Sequence, residues 1–190
     1  MNEKSNLYLF FYKYIYSFIE KYITNNIISK VPIWTIRKTW YRLIGLSIKK
    51  NSNIDMNSYF IAPRHISIGA NTHINQSCFL DGRGELTIKD NVSISHYVKI
   101  CTGGHSINSP LFEGSHGPII IENYVWVGIG AIILKNVKLG EGCIVAAGSV
   151  VTKNVPPYRI VAGSPAQIIG ERKQGLNYHP LYKEHHFRYQ

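Results

Sequence analysis

The sequence predicts an all-β solenoid, a parallel β-helix of about five coils with a helical extension before it and a short cap and tail after it. From residue 121 to 156 the chain repeats every six residues, with an aliphatic residue opening each block and a small or β-branched residue four places later. A helix would repeat apolar residues at steps of three and four, and a strand at steps of two, so this step indicates short faces joined by equal corners. Three hexapeptides then complete one triangular coil, and the openers point inward: Ile121, Val127, Ile133, Leu139, Val145 and Val151.

The same step begins earlier, at Ile48, and divides the solenoid into coils. The predicted coils span residues 48–65, 66–85, 86–120, 121–138 and 139–156. Slips of two residues at PRHISI and DGRGEL indicate bulged corners. The third coil holds about fifteen extra residues, which predict a projecting loop over 101–118. The predicted divisions are a helical extension over 1–47, the solenoid over 48–165, and a cap and tail over 166–190.

Two helices are predicted before the solenoid. The first, Leu7–Ile23, places a stripe of large apolar residues on one side: Leu7, Phe10, Phe11, Tyr14, Phe18 and Tyr22. This run is too short for a membrane span, which needs about 20 residues. We expect the stripe to cover one end of the solenoid or a neighbouring subunit, and the alternative is peripheral contact with a membrane surface. The second helix is predicted from Pro32 to Gly45.

The end of the repeat is marked by three prolines at 156, 157 and 165. The segment AGSPAQIIG predicts a turn followed by a short apolar stretch that closes the open end of the solenoid.

The composition limits the classes of function. Hydrophobic residues make up 45% of the chain and charged residues 17%, which excludes wholesale disorder. The net charge of +10 suits a polyanionic cofactor or an anionic membrane surface. Nucleic acid is not expected, because no zinc spacing, RNP-like motif or arginine-rich run accompanies the charge.

The three cysteines lack paired spacing and indicate free thiols in a reducing compartment. Cys78 and Cys143 take small hexapeptide positions and are expected to fill the core. No signal peptide opens the chain, so we expect a cytoplasmic protein.

Several motifs together resemble those of the left-handed β-helix acyltransferases. They are the hexapeptides, TGGHS at the start of the loop, NYVWVG after it, AAGSVVTK, and AGSPAQII at the end. The resemblance covers about residues 50 to 172 and points to the O-acetyltransferases of sugars and bacterial surface polysaccharides, relatives of the galactoside and maltose acetyltransferases. It implies a left-handed coil, a homotrimer, acetyl-CoA as co-substrate, and a sugar or polysaccharide hydroxyl as acceptor.

His105 is the predicted general base. Glycines precede it in the loop, and an unperturbed imidazole, which titrates near pH 6.5, is suited to taking a proton from an alcohol. The family's catalytic histidine falls at this position. The resemblance therefore implies direct transfer, in which the sugar alkoxide attacks the thioester and a backbone N–H stabilises the oxyanion.

Three further residues are candidates for contact with the substrates. His116, at the far end of the loop, could contact cofactor or acceptor, and a structural role is the alternative. Asp81 and Arg83, on a bulged corner one coil below His105, are a plausible hydroxyl-binding pair for the acceptor. The alternative for Asp81 is that it braces its own turn.

The resemblance also implies that CoA lies in a groove between the solenoids of adjacent subunits. Lys153 and Arg172 are expected near its phosphates. The residues implied to line the groove are Trp126, Gly128, Ile129, Ala147, Thr152 and Lys153.

Three other functions are alternatives to sugar O-acetylation. Metal-binding relatives with this fold resemble a pattern of two histidines about five apart, which His96, His105 and His116 do not match, so no metal is expected. N-acetylation of an amino sugar, or acetylation of an antibiotic or serine, stays open, although serine acetyltransferases would carry a larger helical domain. A non-enzymatic or metal-binding scaffold is the remaining alternative.

Overall fold

The computed structural model describes residues 14–180 and shows a solenoid with three parallel sheets, named A, B and C here. Each coil contributes one short strand to each sheet. There are five complete coils, as the sixfold step predicts, and a partial sixth formed by β18 (Arg159–Gly163) and by Val155, which bridges to Leu139. The first strands of the five coils begin at residues 47, 66, 86, 119 and 138, within two residues of the predicted starts.

The strands of each sheet follow one another up the solenoid in coil order. Sheet A holds β1 (Ser47–Ile48), β4 (Ile66–Ile68), β7 (Leu86–Ile88), β12 (Ile119–Ile121) and β15 (Lys138–Leu139). Sheet B holds β2 (Asn53–Ile54), β5 (His73–Ile74), β8 (Ser93–Ile94), β13 (Trp126–Val127), β16 (Ile144–Val145) and β18 (Arg159–Gly163), with β19 (Ala166–Glu171) antiparallel at its edge. Sheet C holds β3 (Tyr59–Ile61), β6 (Phe79–Asp81), β9 (Lys99–Cys101), β14 (Ile132–Leu134) and β17 (Val150–Val151).

The core is a stack of the hexapeptide openers. They pair in register from coil to coil and are almost completely buried: Ile48, Ile68, Ile88, Ile121 and Leu139 in sheet A; Ile54, Ile74, Ile94, Val127, Val145 and Val161 in sheet B; Phe60, Leu80, Ile100, Ile133 and Val151 in sheet C. Cys78 and Cys143 are buried as expected, and burial raises the pKa of each thiol to about 12. Both thiols are therefore core fillers without thiolate reactivity.

The N-terminal helices cap the first coil. They are α1 (Phe18–Ile27), which is π-helical, a 3₁₀ turn (Ile28–Lys30), and α2 (Trp34–Leu43). Three side chains bond the exposed edges of the first three strands. Arg42 donates to the Ile48 carbonyl (2.7 Å), Arg37 to the Ile54 carbonyl (3.0 Å), and the Asn25 amide bonds both the N–H and the C=O of Phe60 (2.8 and 3.0 Å). The caps therefore satisfy backbone groups that would otherwise form an open sheet edge.

The orientation of α1 differs from the predicted one. Tyr14, Phe18 and Tyr22 are 64%, 55% and 52% exposed, whereas Glu20, Thr24 and Asn25 are buried. The first coil presents unpaired backbone N–H and C=O groups, which polar side chains can satisfy and aromatic rings cannot, so the polar face packs inward. The helix also continues to Ile27 instead of ending at Ile23. The other three stripe residues, Leu7, Phe10 and Phe11, lie outside the described residues.

The opposite end of the solenoid carries a hairpin and a returning tail. The predicted turn joins β18 to β19, which pairs along the edge of sheet B, but Ile168 and Ile169 are 55% and 65% exposed, so these two side chains do not cover the core. A shift in the β18–β19 register leaves Ile169 without a paired residue on β18. The chain then runs back along the corner between sheets A and B, where His179 hydrogen-bonds Asn91 at 2.6 Å. Over residues 14–180, no helix combines the length and apolarity that crossing a membrane requires.

Candidate functional site

The projecting loop leaves the solenoid at the corner between sheets C and A, the C/A corner, on the third coil. It forms a hairpin of β10 (Gly103–His105) and β11 (Gly114–His116). His105 pairs with Gly114 and His116 with Gly103, so the two histidines lie at opposite ends of the hairpin ladder. Both side chains are exposed.

The His105 imidazole is held in one orientation by Phe112. Its Nδ1 lies 2.8 Å from the Phe112 carbonyl oxygen, and the two rings stack with centroids 4.3 Å apart and planes 4° apart. Because a carbonyl oxygen only accepts hydrogen bonds, it selects the tautomer with hydrogen on Nδ1 and leaves the Nε2 lone pair available. Phe112 adopts a left-handed conformation (φ 47°), which the bond from its N–H to the Ser109 carbonyl supports. The arrangement is suited to general base catalysis at Nε2.

Asp81 fixes the base of the hairpin from one coil below. Its Oδ1 accepts hydrogen bonds from the backbone N–H and Nε of Arg83, both at 3.0 Å, and its Oδ2 accepts from Arg83 Nη2 and the Gly103 N–H, both at 2.9 Å. Burial acts to raise the Asp81 pKa, but the bonds from Arg83 and Gly103 outweigh it and the net pKa is lowered. Asp81 has no exposed surface.

The Asp81 oxygens are buried and occupied within the chain, so the geometry favours the alternative in which Asp81 braces its turn and the loop. Contact with the acceptor stays a prediction. Thr102, which the sequence did not single out, completes this brace: its hydroxyl donates to the Asp81 carbonyl and accepts from the Gly84 N–H, both at 2.9 Å. A buried threonine beside TGG carries no sequence signal that separates it from an ordinary corner residue.

Cations lie on both sides of the hairpin. Arg83 crosses Gly103 so closely that a Cβ at Gly103 would overlap the guanidinium and displace it. From the coil above, the Lys135 ammonium donates to the Ser115 hydroxyl at 2.7 Å. Thr152 and Lys153 are exposed at the same corner one coil higher. The C/A corner therefore presents a positively charged surface around His105, and Lys135 is a member that the sequence did not indicate.

Two predicted cofactor residues meet on sheet B. Trp126 is 46% exposed and donates from Nε1 to the Ser95 hydroxyl at 3.2 Å. It lines a shallow cavity of about 370 Å³ with Ser93, Arg172, Tyr178 and Pro180. Arg172 itself donates to the carbonyls of Tyr124 (2.8 Å) and Gly142 (3.2 Å) and to the Tyr178 hydroxyl (3.1 Å). These bonds fasten the returning tail, so the geometry favours a structural role, and phosphate contact stays a prediction.

The remaining cofactor candidates lie at the corner between sheets B and C. A Cβ at Gly128 would lie 2.6 Å from the Ala147 nitrogen, so the close approach of two coils by itself explains this glycine. Ile129 is 50% exposed and Ala147 is exposed. Within one chain the predicted residues thus occupy three places: the C/A corner, sheet B, and the B/C corner. Nowhere between residues 14 and 180 do three His, Cys, Asp or Glu side chains group so as to hold a metal ion.

Comparison with known proteins agrees with this architecture. The family model "Bacterial transferase hexapeptide (six repeats)" matches residues 118–153. Galactoside O-acetyltransferase of Escherichia coli is 32% identical over 138 residues, which are 71% of this chain and 68% of that protein. Other curated relatives match over shorter segments, so this chain spans about half the length of each, 54% to 56%.

Solved structures match over most of the solenoid. A hexapeptide-repeat acetyltransferase of Vibrio cholerae in complex with acetyl-CoA superposes with a TM-score of 0.75 at 27% identity, covering 84% of this chain and 87% of the other. A galactoside acetyltransferase in complex with CoA gives a TM-score of 0.75 at 25% identity, with coverages of 89% and 88%. These structures are left-handed β-helices, and a coil of the opposite hand would not superpose on them, so the left hand is confirmed.

Proposed function

Since this chain belongs to the hexapeptide-repeat transferases, the family of galactoside O-acetyltransferase, we propose that it moves an acetyl group from acetyl-CoA to a hydroxyl of a sugar. We further propose that the sugar belongs to a surface polysaccharide or its precursor. The observation that carries the assignment is the His105 imidazole, whose Nδ1 is bonded to the Phe112 carbonyl and which is exposed on the projecting hairpin.

The proposed reaction is a direct transfer. His105 Nε2 takes the proton of the sugar hydroxyl as the oxygen attacks the thioester carbonyl carbon. The tetrahedral intermediate collapses with cleavage of the C–S bond, and the imidazolium returns the proton to the departing thiolate. The products are an acetyl ester and CoA. While the ring is charged, the Nδ1–H bond to the Phe112 carbonyl stabilises it, as a carboxylate does in catalytic triads.

The positive charge at the C/A corner supports binding of a polyanionic co-substrate there. Arg83 and Lys135 flank the hairpin, and Lys153 extends the positive surface along the C/A corner. The phosphates of acetyl-CoA are attracted to such a surface, and solvated lysines can follow them as point charges. Lys153, which is exposed, fits this role better than Arg172, whose guanidinium is bonded within its own chain.

The character of the three faces supports a homotrimer, which we propose as the working assembly. The outward positions of sheet A are mostly polar, including Ser47, Ser67, Thr87 and Lys138. Sheets B and C carry larger apolar side chains outward: Trp126, Ile144 and Ile160 on B, and Tyr59, Phe79, Ile132 and Val150 on C. We propose that sheet B of one copy packs against sheet C of the next, a heterologous interface that three copies close into a ring. In this arrangement we expect Trp126 of one copy and His105 of its neighbour to contribute to one site.

The shared site predicts complementation between inactive variants. His105→Ala and Trp126→Ala should each be impaired alone, whereas their coexpression should restore about one quarter of the wild-type activity, because random mixing gives that share of sites with both residues intact. The measurement is the rate of acetyl transfer by purified mixed assemblies. Light scattering gives the mass of each assembly and shows whether the variants assemble as the wild type does. Activity no higher than that of either variant alone would contradict a site built from two copies.

The acetyl transfer itself is testable with purified protein. Incubation with acetyl-CoA and a panel of galactosides, maltose oligomers and polysaccharide fragments should yield a product heavier by one acetyl group in mass spectrometry. Mild alkali should remove that group, since esters hydrolyse under conditions that amides survive. An alkali-stable product would indicate N-acetylation, and absence of any acetylated sugar would refute the proposal.

A further inference from the structure

The outward side of α1 and of the helical turn before it (14–17) carries an aromatic row, defined here as Tyr14, Phe18 and Tyr22. The three residues recur every four positions and are 64%, 55% and 52% exposed, and neighbouring Ile15 is 59% exposed. The Phe18 and Tyr22 rings stack with centroids 5.3 Å apart. The helix thus turns its largest apolar side chains away from the solenoid, whose hydrogen-bonding edge its polar side chains occupy. Such an apolar strip on a capping helix is typical of an interaction surface.

The charge around the row is of one sign. Residues 14–50 contain seven Lys or Arg and one acidic residue, Glu20. Glu20 is buried and accepts a hydrogen bond from the Ala62 N–H at 2.6 Å, so it does not neutralise the surface. Exposed cations on this end of the molecule are Lys21, Lys30, Arg42, Lys49 and Lys50. Arg42 also bonds the Ile48 carbonyl, and Lys49 lies 4.0 Å from Asp90, so Lys21, Lys30 and Lys50 are the cations best suited to lipid phosphates.

We propose that the aromatic row docks on the surface of an anionic lipid bilayer. The rings enter the headgroup region with α1 lying along the membrane plane, and the surrounding lysines and arginine contact the lipid phosphates. This is a peripheral mode of binding. The preceding sequence, LYLFFYK at residues 7–13, adds six apolar or aromatic residues and one lysine, which is the same chemistry.

The charge pattern favours a bilayer over a second copy of the row. If two copies paired through this strip, Lys21 and Lys30 of each would approach cations of the other with no exposed acidic side chain between residues 14 and 50 to offset them. Juxtaposed like charges disfavour such an interface. An anionic membrane supplies the missing negative charge.

Vesicle cosedimentation of the full chain tests the proposal. The protein should sediment with vesicles of phosphatidylcholine and phosphatidylglycerol (about 7:3), bind phosphatidylcholine vesicles at least tenfold more weakly, and dissociate when salt screens the charges. The double variant Phe18→Ser with Tyr22→Ser should lower the partition coefficient for the anionic vesicles about tenfold or more, because two buried aromatic rings are lost.

The matched control is Ile168→Ser with Ile169→Ser at the opposite end of the solenoid. These side chains are 55% and 65% exposed, like those of the row, and their loss should leave vesicle binding unchanged. The proposal is overturned if the wild type does not bind anionic vesicles, or if the Phe18 and Tyr22 variant binds as well as the wild type. It is also overturned if that variant lowers the assembly mass in light scattering, which would make the row an interface between copies.

Discussion

Replacing His105 with alanine should lower kcat for acetyl transfer by about 10²–10⁴-fold, the usual contribution of a general base. The side chain is exposed on a hairpin outside the core, so the free energy of unfolding should change by no more than about 0.5 kcal/mol. Steady-state kinetics with acetyl-CoA and the acceptor found in the sugar panel measure the first effect. Urea unfolding measures the second.

The matched control for this substitution is His65→Ala. His65 is also exposed at the C/A corner, two coils below, and belongs to a 3₁₀ turn (Pro63–His65) without a role in the proposed reaction. Its loss should leave kcat near the wild-type value. If His105→Ala kept more than about a tenth of the activity, proton abstraction by this imidazole would not be the main contribution to catalysis.

Replacing Asp81 with alanine should have the largest combined effect on stability and activity. The substitution leaves the Arg83 side chain and two backbone N–H groups without their acceptor. We expect a loss of about 2 kcal/mol in the free energy of unfolding, below the value for a fully buried ion pair because the Arg83 side chain is 44% exposed. Since Gly103 is held by the same carboxylate, the hairpin should shift and kcat should fall about tenfold or more.

Glu122→Ala provides the comparison for Asp81→Ala in urea unfolding. Glu122 makes two ion pairs, with Lys89 at 2.9 Å and Lys138 at 3.0 Å, but both lysine side chains are about half exposed. Removal of the Glu122 carboxylate should lower the free energy of unfolding by less than about 1 kcal/mol and leave kcat unchanged. If the two variants lost equal free energies of unfolding, the burial of Asp81 would add nothing to the stability that its ion pair contributes.

The dependence of this effect on pH follows from the lowered pKa of Asp81. A carboxylate whose folded pKa lies below its ordinary value of 3.8 stabilises the fold above that pH, and the contribution is lost as pH falls through the folded pKa. The stability difference between wild type and Asp81→Ala should therefore be constant from about pH 5 to 7 and shrink below about pH 4. A difference that grew on acidification would contradict the assignment.

The sequence alone determined the solenoid, its five coils, the position of the projecting loop and the histidine within it. These features were predictable because the hexapeptide pattern is local. Each opener packs against the opener of the adjacent coil, and an insertion is visible as a break in the six-residue step. Ile54, Ile74 and Ile94 could be assigned to one ladder from spacing alone, and they stack in one ladder.

Only the tertiary structure decided which groups brace, orient or cover the site. Four features depend on hydrogen bonds and packing between distant parts of the chain. They are the burial of Asp81, the bond from His105 to the Phe112 carbonyl, the bond from Lys135 to the Ser115 hydroxyl, and the outward orientation of the α1 aromatic rings. Apolar periodicity reports which side chains leave water, but it does not report where unpaired N–H and C=O groups need a partner. That need placed the polar face of α1 against the first coil, and it placed the Asp81 carboxylate on the Gly103 N–H at the base of the hairpin.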